Sequence, residues 1–309
     1  LDILTQLNKH YRKKIYCINL TNPSLSDTYN PFYNTSPTVA KDMLVNMTDW
    51  SEEHYKVNAE RYLQRLILLM NKAEIPLSFQ SIVKFMELDN FTLLSTQLVK
   101  EKQISKERHL ENLEIAKTSG KVAENSIARF STIAESELGE IFSDTGIDIA
   151  TALKEKAIII FILNPLIYPE LSPAFGRLVL IDSKKAISQR FNSRNRTFFL
   201  FDEINVYASK TLIDLVNKSR SANVTCVLAT QSLSDLASAE DEDFTQQIIE
   251  NCNNYLVLRQ NSAVNSENWA NILGTRQTME VTYQLQQKGL DTTQTDFGSA
   301  RRVREYLYH

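Results

Sequence analysis

Glycine is scarce in this chain. The 309 residues contain only seven glycines, at positions 120, 139, 146, 176, 274, 289 and 298. A phosphate-binding loop of the form G-x-x-x-x-G-K-[ST] needs glycine so that backbone N–H groups can close around phosphate oxygens. The only Gly-Lys pair is Gly120-Lys121, which is followed by Val122 and has no glycine at the required distance before it. The pair therefore predicts a helix boundary and not a phosphate loop.

Long apolar runs and metal-binding patterns are also missing. No run approaches the roughly 20 apolar residues needed to cross a bilayer, and no signal peptide is visible. We therefore expect this stretch of chain to be soluble and cytoplasmic. The three scattered cysteines, 17, 226 and 252, indicate reduced core residues. The four histidines, 10, 54, 109 and 309, show no metal-ligand spacing, and no G-x-S-x-G elbow suggests hydrolase chemistry.

The charge balance excludes a protein that coats DNA with a basic surface. The net charge is −3, with 34 basic and 37 acidic residues, whereas such proteins carry a strong basic excess. Two local basic clusters exist, Arg12-Lys13-Lys14 and Arg301-Arg302-Val303-Arg304. Their composition favours a solvated helix end or strand edge over a DNA contact.

The strongest positive signal is an apolar run that ends in two acids. Residues 197–201 are β-prone or apolar, and Asp202 and Glu203 follow directly. Such a run predicts a strand buried on both faces of a parallel sheet. Its carboxyl end is where open α/β sheets place their chemistry. In P-loop NTPases this is the Walker B arrangement, in which the first acid serves Mg²⁺ and the second positions the attacking water. The alternative is a core strand that happens to meet a solvated turn.

A second strand pattern lies downstream. Residues 224–230 form another apolar run, which ends at Gln231. Between the two runs, residues 210–220 carry apolar side chains at helical spacing, so a right-handed strand–helix–strand unit is expected. This unit would bring Gln231 to the same sheet edge as Asp202 and Glu203, where an amide can contact a γ-phosphate or its water. The alternative for Gln231 is a loop residue that starts the next helix.

The chain between these signals and its first strand is helical in pattern. Residues 1–35 predict a helix, a strand and a loop rich in proline and asparagine. Residues 36–147 show apolar positions at helical spacing, notably at 62–70 and in a long helix predicted over 127–142, with no strand-like run. A strand pattern resumes at 157–163. We therefore expect an α/β domain formed by 1–35 and 148–309, with an all-α domain, 36–147, inserted into it.

The remaining segments predict further elements of the α/β part. A helix is expected over 170–191, and strands at 255–258 and 279–283. The polar stretch 284–296 predicts a mobile loop or hairpin tip.

Several segments resemble type IV secretion coupling proteins, the conjugative DNA-transfer ATPases of the FtsK/HerA branch. Residues 15–20 followed by 26–32 resemble the region after the P-loop in that family. Further matching segments follow in the same order: 157–163, 198–203, 219–222, 229–232 and 301–305. The departures are the absent P-loop and an end at His309 that would cut the motor domain short. The sequence also starts at Leu1 without a methionine, in what reads as mid-helix. We therefore expect a fragment whose P-loop preceded residue 1 and which is inactive without it.

This resemblance implies a RecA-like P-loop NTPase core with a mainly parallel sheet and an all-α insertion. It implies ATP and Mg²⁺ as cofactors, with Asp202 holding Mg²⁺ through water, Glu203 polarising the attacking water and Gln231 sensing the γ-phosphate. Arg220 would act in trans on a neighbour's nucleotide in a hexameric ring. Its alternative is an ordinary arginine at a helix carboxyl end, favoured by the helix dipole.

The partners implied by the resemblance are single-stranded DNA, a relaxase or relaxosome, and components of a type IV secretion channel. The implied location is the cytoplasmic face of the bacterial membrane. Two alternatives stay open at this point: a double-stranded DNA translocase of the FtsK/HerA type, and a non-catalytic receptor that uses the same fold to dock substrate proteins.

Overall fold

Two pairs of parallel strands form the centre of the α/β part. β1 (Ile15–Asn19) pairs with β2 (Ile158–Ile162), and β3 (Thr197–Phe201) pairs with β4 (Val224–Leu228). These coordinates are a computed structural model that describes residues 8, 9, 11–47, 50, 52–190, 195–288 and 291–307, without the side chains of 125–127, 284–288 and 291–297. All four strands lie where the apolar runs predicted them, and both pairings are parallel, as expected.

Between β1 and β2 the chain forms a block of helices. In the described part of 36–147 the α-helices are α1 (Pro37–Asn46), α2 (Glu53–Lys72), α3 (Phe79–Met86), α4 (Leu88–Lys100), α5 (Lys106–Ile115) and α6 (Lys121–Glu135). Serine side chains begin several of them, because a serine oxygen can accept from an unpaired N–H of the first turn. Ser36, Ser78 and Ser105 all do so.

The predicted long helix over 127–142 is shorter than expected. α6 ends at Glu135, and a 3₁₀ helix, Glu137–Ile141, follows it. Ser136 accounts for the break, because its extended backbone leaves the helix and its Oγ accepts a hydrogen bond from Leu138 N at 3.2 Å. The predicted face of α2 is confirmed, since Tyr62, Leu66, Leu69 and Met70 are all buried.

The Gly120-Lys121 pair lies inside a continuous helical stretch. Gly120 is the last residue of a π-helical segment, Ala116–Gly120, and Lys121 is the first residue of α6. A β-carbon at Gly120 would lie 2.6 Å from Leu88 Cδ2 and 3.0 Å from the Tyr62 ring. The glycine therefore allows close helix packing, and the pair forms a helix junction, not a phosphate loop.

The helices of the α/β part are α7 (Ile149–Lys154), α8 (Leu171–Ser188), α9 (Lys210–Ser219), α10 (Leu233–Ala239), α11 (Glu242–Asn251) and α12 (Ala263–Leu273). α8 and α9 correspond to the helices predicted over 170–191 and 210–220. No helix in the described ranges combines the length and apolarity that crossing a membrane requires.

Three expectations about strands need correction or refinement. No strand forms at 255–258, where Leu256 is 91% exposed and no neighbouring strand pairs with the segment. The strand predicted at 279–283 is confirmed within a longer one, β5 (Thr275–Lys288), which pairs antiparallel with β6 (Asp291–Tyr306). Most of 284–296 therefore has strand backbone, while residues 289–290 of the connection lie outside the described residues.

One face of the β3–β4 pair is exposed, whereas the apolar run predicted burial on both. Phe198 and Leu200 are 67% and 72% exposed, and Val227 on the neighbouring strand is also exposed. The register places Leu200 opposite Val227, so all three side chains share a face. On the other face, Phe199 packs against the core and Phe201 is buried.

Two apolar cores form within the described residues up to Cys252. The larger one extends from the helical block to β1 and α8, and aromatic rings join these parts. Phe142 stacks on Phe79 at a centroid distance of 4.8 Å and contacts Phe175 of α8 at 5.6 Å. The smaller core surrounds the inner face of β3 and β4 and includes Leu212 of α9 and Phe244 of α11. The domain bounds 1–35, 36–147 and 148–309 remain a prediction.

A buried lysine joins the chain segments that enter and leave the helical block. Lys185 of α8 forms ion pairs with Asp182 at 3.0 Å and with Asp148 at 3.2 Å, and all three side chains are at least nine-tenths buried. Asp182 also accepts hydrogen bonds from Tyr29 Oη at 2.9 Å and Ile149 N at 3.0 Å. Lys185 Nζ further contacts oxygens of the entering segment, on Pro31, Tyr33 and Thr35.

Candidate functional site

The candidate site lies at the carboxyl ends of β3 and β4. The two strands are in register, with Phe201 opposite Leu228. Backbone hydrogen bonds continue past the strand ends: Ala229 N donates to Phe201 O at 2.8 Å, and Ile204 N donates to Ala229 O at 3.1 Å. The loop that carries Asp202 and Glu203 is therefore fixed against the segment that leads to Gln231.

Three of the four predicted site residues come together here. Gln231 Nε2 lies 3.5 Å from Glu203 Oε1, and Asp202 directly precedes Glu203. All three side chains are exposed to solvent. The parallel pairing of two separate strands causes this proximity, because the two chain positions lie 28 residues apart.

Glu203 has a left-handed backbone conformation, with φ 48° and ψ 50°. This conformation costs a non-glycine residue about 1–2 kcal/mol. The Asp202 side chain stabilises the turn, because its Oδ1 accepts a hydrogen bond from Glu203 N at 3.0 Å. The turn ends β3 and starts the short 3₁₀ helix Ile204–Tyr207. Residues with a strained backbone are common at functional sites.

Tyr207 stabilises this turn from its buried side, although no pattern in the sequence indicates such a role. Its hydroxyl donates to the Asp202 carbonyl oxygen at 2.8 Å. Burial raises the pKa of Tyr207 well above its ordinary value, and the charges of Asp202 and Glu203 raise it further, so the hydroxyl stays a donor at neutral pH. Gly176 of α8 makes room for this side chain, since a β-carbon there would lie 2.7 Å from Tyr207 Cβ.

Arg220 lies at the other end of the β3–β4 pair. It follows α9 in a 3₁₀ turn, Arg220–Ala222, and its carbonyl accepts a hydrogen bond from Asn223 N at 3.1 Å. β4 starts at Val224 and runs its five residues towards Gln231. At about 3.3 Å per residue the strand alone separates Arg220 from the acids by roughly 16 Å. The exposed Arg220 side chain therefore belongs to a different surface of the same subunit.

The donor set suits a metal bound together with a phosphate ligand. It consists of the carboxylates of Asp202 and Glu203 and the amide of Gln231. Elsewhere among the described residues, no three metal-binding side chains lie close enough to hold an ion. Mg²⁺ is commonly held by one or two carboxylates, with water and substrate phosphates completing its shell. Asp202 and Glu203 therefore fit the metal side of a Mg–nucleotide site. The phosphate side has no glycine-rich loop among the seven glycines of the chain.

Parallel strand pairs, with a helical block between β1 and β2 and two acids at the carboxyl end of β3, are the arrangement expected of a RecA-like α/β fold. Comparison with known proteins gives the family. Residues 33–306 match the family model described as the type IV secretion-system coupling protein DNA-binding domain. Because the match covers most of the chain, this protein belongs to that family. The predicted resemblance and the fold class are both confirmed.

Solved structures support the same fold. The bacterial conjugative coupling protein TrwBdeltaN70, in its unbound monoclinic form, matches 98% of this chain and 73% of its own length, with a TM-score of 0.63 and 13% identity. The plasmid coupling protein TrwB in complex with the non-hydrolysable ATP analogue ADPNP matches with a TM-score of 0.53 and 13% identity. TrwB in complex with ADP and Mg²⁺ matches with a TM-score of 0.50 and 14% identity. At these identities the likeness concerns the fold alone.

The chain covers only part of some of these relatives. It matches 64% and 63% of the two nucleotide-bound structures, and those matches involve 80% of this chain. An uncharacterized protein of Mycoplasma pneumoniae is 30% identical over 100 residues, which are 32% of this chain and 67% of that protein.

Proposed function

We propose that this chain is motor-domain sequence of a conjugative coupling protein, a DNA translocase that uses ATP hydrolysis to deliver single-stranded DNA and its relaxase to a type IV secretion channel. The observation that carries this proposal is the approach of Gln231 to Glu203, 3.5 Å apart on two paired strand ends. Membership in the coupling-protein family supports DNA and the type IV secretion system as partners. The ADP and Mg²⁺ bound in the TrwB structure support a nucleotide and Mg²⁺ as the cofactors.

Each residue of the proposed site has a separate role. Asp202 would hold Mg²⁺ through water, and the bound ion would neutralise charge on the phosphates. Glu203 would orient and polarise the attacking water, and Gln231 would sense the γ-phosphate. Tyr207 is a positioning residue, because it holds the Asp202 carbonyl and thereby the turn that carries both acids.

The chain supplies the metal side of this site but no phosphate cradle. Two acids without Mg²⁺ would repel a nucleotide, and no glycine-rich loop would enclose its β- and γ-phosphates. We therefore expect weak, Mg²⁺-dependent nucleotide binding and no measurable ATP turnover by residues 1–309. The intact protein is proposed to be a membrane-associated hexameric ring on the cytoplasmic face of the membrane.

A titration with a fluorescent ATP analogue tests the site. Binding should require Mg²⁺ and should disappear in Asp202→Asn. The matched control is Asp214→Asn, which removes a carboxylate on α9 and should leave binding unchanged. Loss of binding in both variants, or no Mg²⁺-dependent binding in the wild type, would contradict the proposed site. Steady ATP turnover that disappears in Glu203→Gln would contradict the expected lack of activity.

A second candidate is a receptor that docks substrate proteins without hydrolysis, and absence of a P-loop from the full gene would favour it. A wild-type chain that binds relaxase but no Mg-nucleotide would support the receptor. Preference for duplex over single-stranded DNA would instead support a double-stranded DNA translocase.

A further inference from the structure

The two faces of the β5–β6 hairpin differ in whether their arginine side chains have acidic partners. Directly opposed residues of an antiparallel pair lie on the same face, and neighbours in sequence lie on opposite faces. The register pairs Met279 with Arg302 and Gln277 with Arg304 on one face, which we call the arginine face. It pairs Glu280 with Arg301 and Arg276 with Glu305 on the other, which we call the paired face.

The paired face neutralises its own charges. Arg301 binds Glu280 Oε2 through Nη2 at 2.7 Å and through Nε at 2.8 Å. Arg276 lies 3.7 Å from Glu305, so each arginine of this face has an acidic partner on the opposite strand. Side chains in such pairs offer little charge to a polyanion.

The arginine face has no such compensation. Over Thr275–Tyr283 and 298–306, this face carries no acidic side chain. Arg302 and Arg304 are exposed and form no ion pair with any described residue. Met279, Val281 and Tyr283 are also exposed on this face, at 63%, 48% and 55%. The register thus divides the basic cluster 301–304, placing Arg301 on one face and Arg302 and Arg304 on the other.

This combination fits single-stranded nucleic acid. Guanidinium groups bind phosphate with paired hydrogen bonds, and two arginines two residues apart on a strand are about 6.8 Å apart, so they can contact separate phosphates. Proteins that bind single strands combine such cations with aromatic rings on which bases stack, and Tyr283 supplies a ring here. Duplex DNA offers phosphates but no free base faces, so the exposed tyrosine favours the single strand.

We propose that the arginine face binds single-stranded DNA, with Arg302 and Arg304 on the backbone and Tyr283 against a base. The inference rests on the proposed function for the kind of substrate, and it adds the surface that contacts it. The nucleotide site does not enter its test, so the two proposals can fail separately.

The test measures binding of a fluorescein-labelled oligothymidine to the full chain by anisotropy, over a range of salt concentrations. Arg302→Gln with Arg304→Gln should weaken binding about tenfold or more and reduce the salt slope by roughly 1.4, since each phosphate contact on a single strand contributes about 0.7. The control, Arg276→Gln with Arg301→Gln, removes the same charge from the paired face and should change affinity less than threefold. Thermal melts establish that both variants fold.

Tyr283→Ala separates stacking from charge. It should weaken binding by roughly fivefold to a hundredfold, as expected for the loss of one stacked base, and leave the salt slope unchanged. Equal losses in the two arginine pairs would overturn the proposal, because net charge alone would then explain binding. Absence of binding by the wild type, tighter binding of duplex, or a relaxase as the only ligand affected by Arg302→Gln and Arg304→Gln would overturn it as well.

Discussion

Tyr207 Oη donates a hydrogen bond to the carbonyl oxygen of Asp202 across 2.8 Å. This contact joins a buried side chain packed against α8 to the exposed acidic turn at the end of β3. It explains how a turn with a left-handed glutamate is held in place, because the carbonyl before that glutamate has a fixed, buried donor.

Tyr207→Phe tests this support. The substitution keeps the ring and removes the hydroxyl, so we expect a loss of about 1 kcal/mol in the free energy of unfolding, typical of one hydrogen bond. Denaturant titration measures it. The control is Tyr16→Phe, which removes an exposed hydroxyl bonded to Glu155 at 2.7 Å and should cost less. Equal stability of Tyr207→Phe and wild type would show that the turn does not depend on Tyr207.

Two neighbouring lysines of α8 give a direct comparison of buried and surface ion pairs. Lys185→Met leaves Asp148 and Asp182 buried without their cation, so we expect a loss of about 3–5 kcal/mol in unfolding free energy. Lys184 pairs with Asp214 at the surface, and Lys184→Met should cost about 0–1 kcal/mol. Similar losses in the two variants, measured by denaturant titration, would contradict the inferred role of the buried lysine.

Asp182 should make stability depend on pH in an unusual direction. Burial raises the pKa of Asp182 above its ordinary value of 3.8, although Lys185 opposes the shift. The folded state therefore binds the carboxyl proton of Asp182 more tightly than the unfolded chain does. As a result, the contribution of Asp182 to the free energy of unfolding increases as pH falls from the raised pKa towards 3.8. The stability of wild type relative to Asp182→Asn should rise as pH decreases from 7 to 4.

Asp214 provides the opposite case. Its hydrogen bond to Lys184 lowers the pKa of Asp214, so its stabilising contribution is present above 3.8 and is lost as pH falls below that value. The stability of wild type relative to Asp214→Asn should therefore be constant down to about pH 5 and then decrease. Unfolding titrations across this range measure both trends, and parallel curves for the two variants would contradict the assignment.

The helical block should fold when it is produced alone, if 36–147 is a domain with its own core. The faces at 62–70 and 127–142 would then pack on each other and give a helical circular dichroism spectrum with a cooperative melt. Phe142 would lose its contact with Phe175 of α8, so the melt should occur at a lower temperature than in the full chain. A disordered product would mean that these helices depend on α8 and β1 for their core.

Arg220 tests the proposed ring. If the full-length protein hydrolyses ATP as proposed, Arg220→Ala should reduce turnover roughly a thousandfold while nucleotide binding is retained, because an arginine acting in trans stabilises transition-state charge. Lys218→Ala, in the last turn of α9, is the matched control and should turn over normally. Mixing Arg220→Ala with Glu203→Gln should restore part of the activity at shared interfaces. Normal turnover by Arg220→Ala would leave Arg220 as a helix-terminal arginine.

Much of the α/β part could be predicted because its signals are local. The strands at 15–19, 158–162, 197–201 and 224–228 lie in apolar runs. The position of Asp202, Glu203 and Gln231 at one sheet edge follows from the parallel connection between β3 and β4. Tyr207 could not be found in this way. Its role depends on a contact with Gly176, 31 positions earlier in the chain, and a tyrosine five residues after an acid carries no distinctive pattern.

The segment 255–258 shows the limit of such signals. Its apolar residues have the composition of a strand, yet a strand is stable only when a partner completes its hydrogen bonds, and none lies beside it among the described residues. The buried contacts of Lys185 are a similar case, since Lys185 lies 37 positions from Asp148 and 154 positions from Pro31.

The amino-acid sequence is sufficient to indicate the family, the positions of the core strands and the acids at the end of β3, because these depend on local composition and chain direction. The tertiary structure alone decided which arginines of the 301–304 cluster are neutralised. Strand side chains alternate with a period of two, so the pairing register of β6 with β5 assigns each arginine to a face. That register depends on residues more than twenty positions away, and no local pattern in the cluster encodes it.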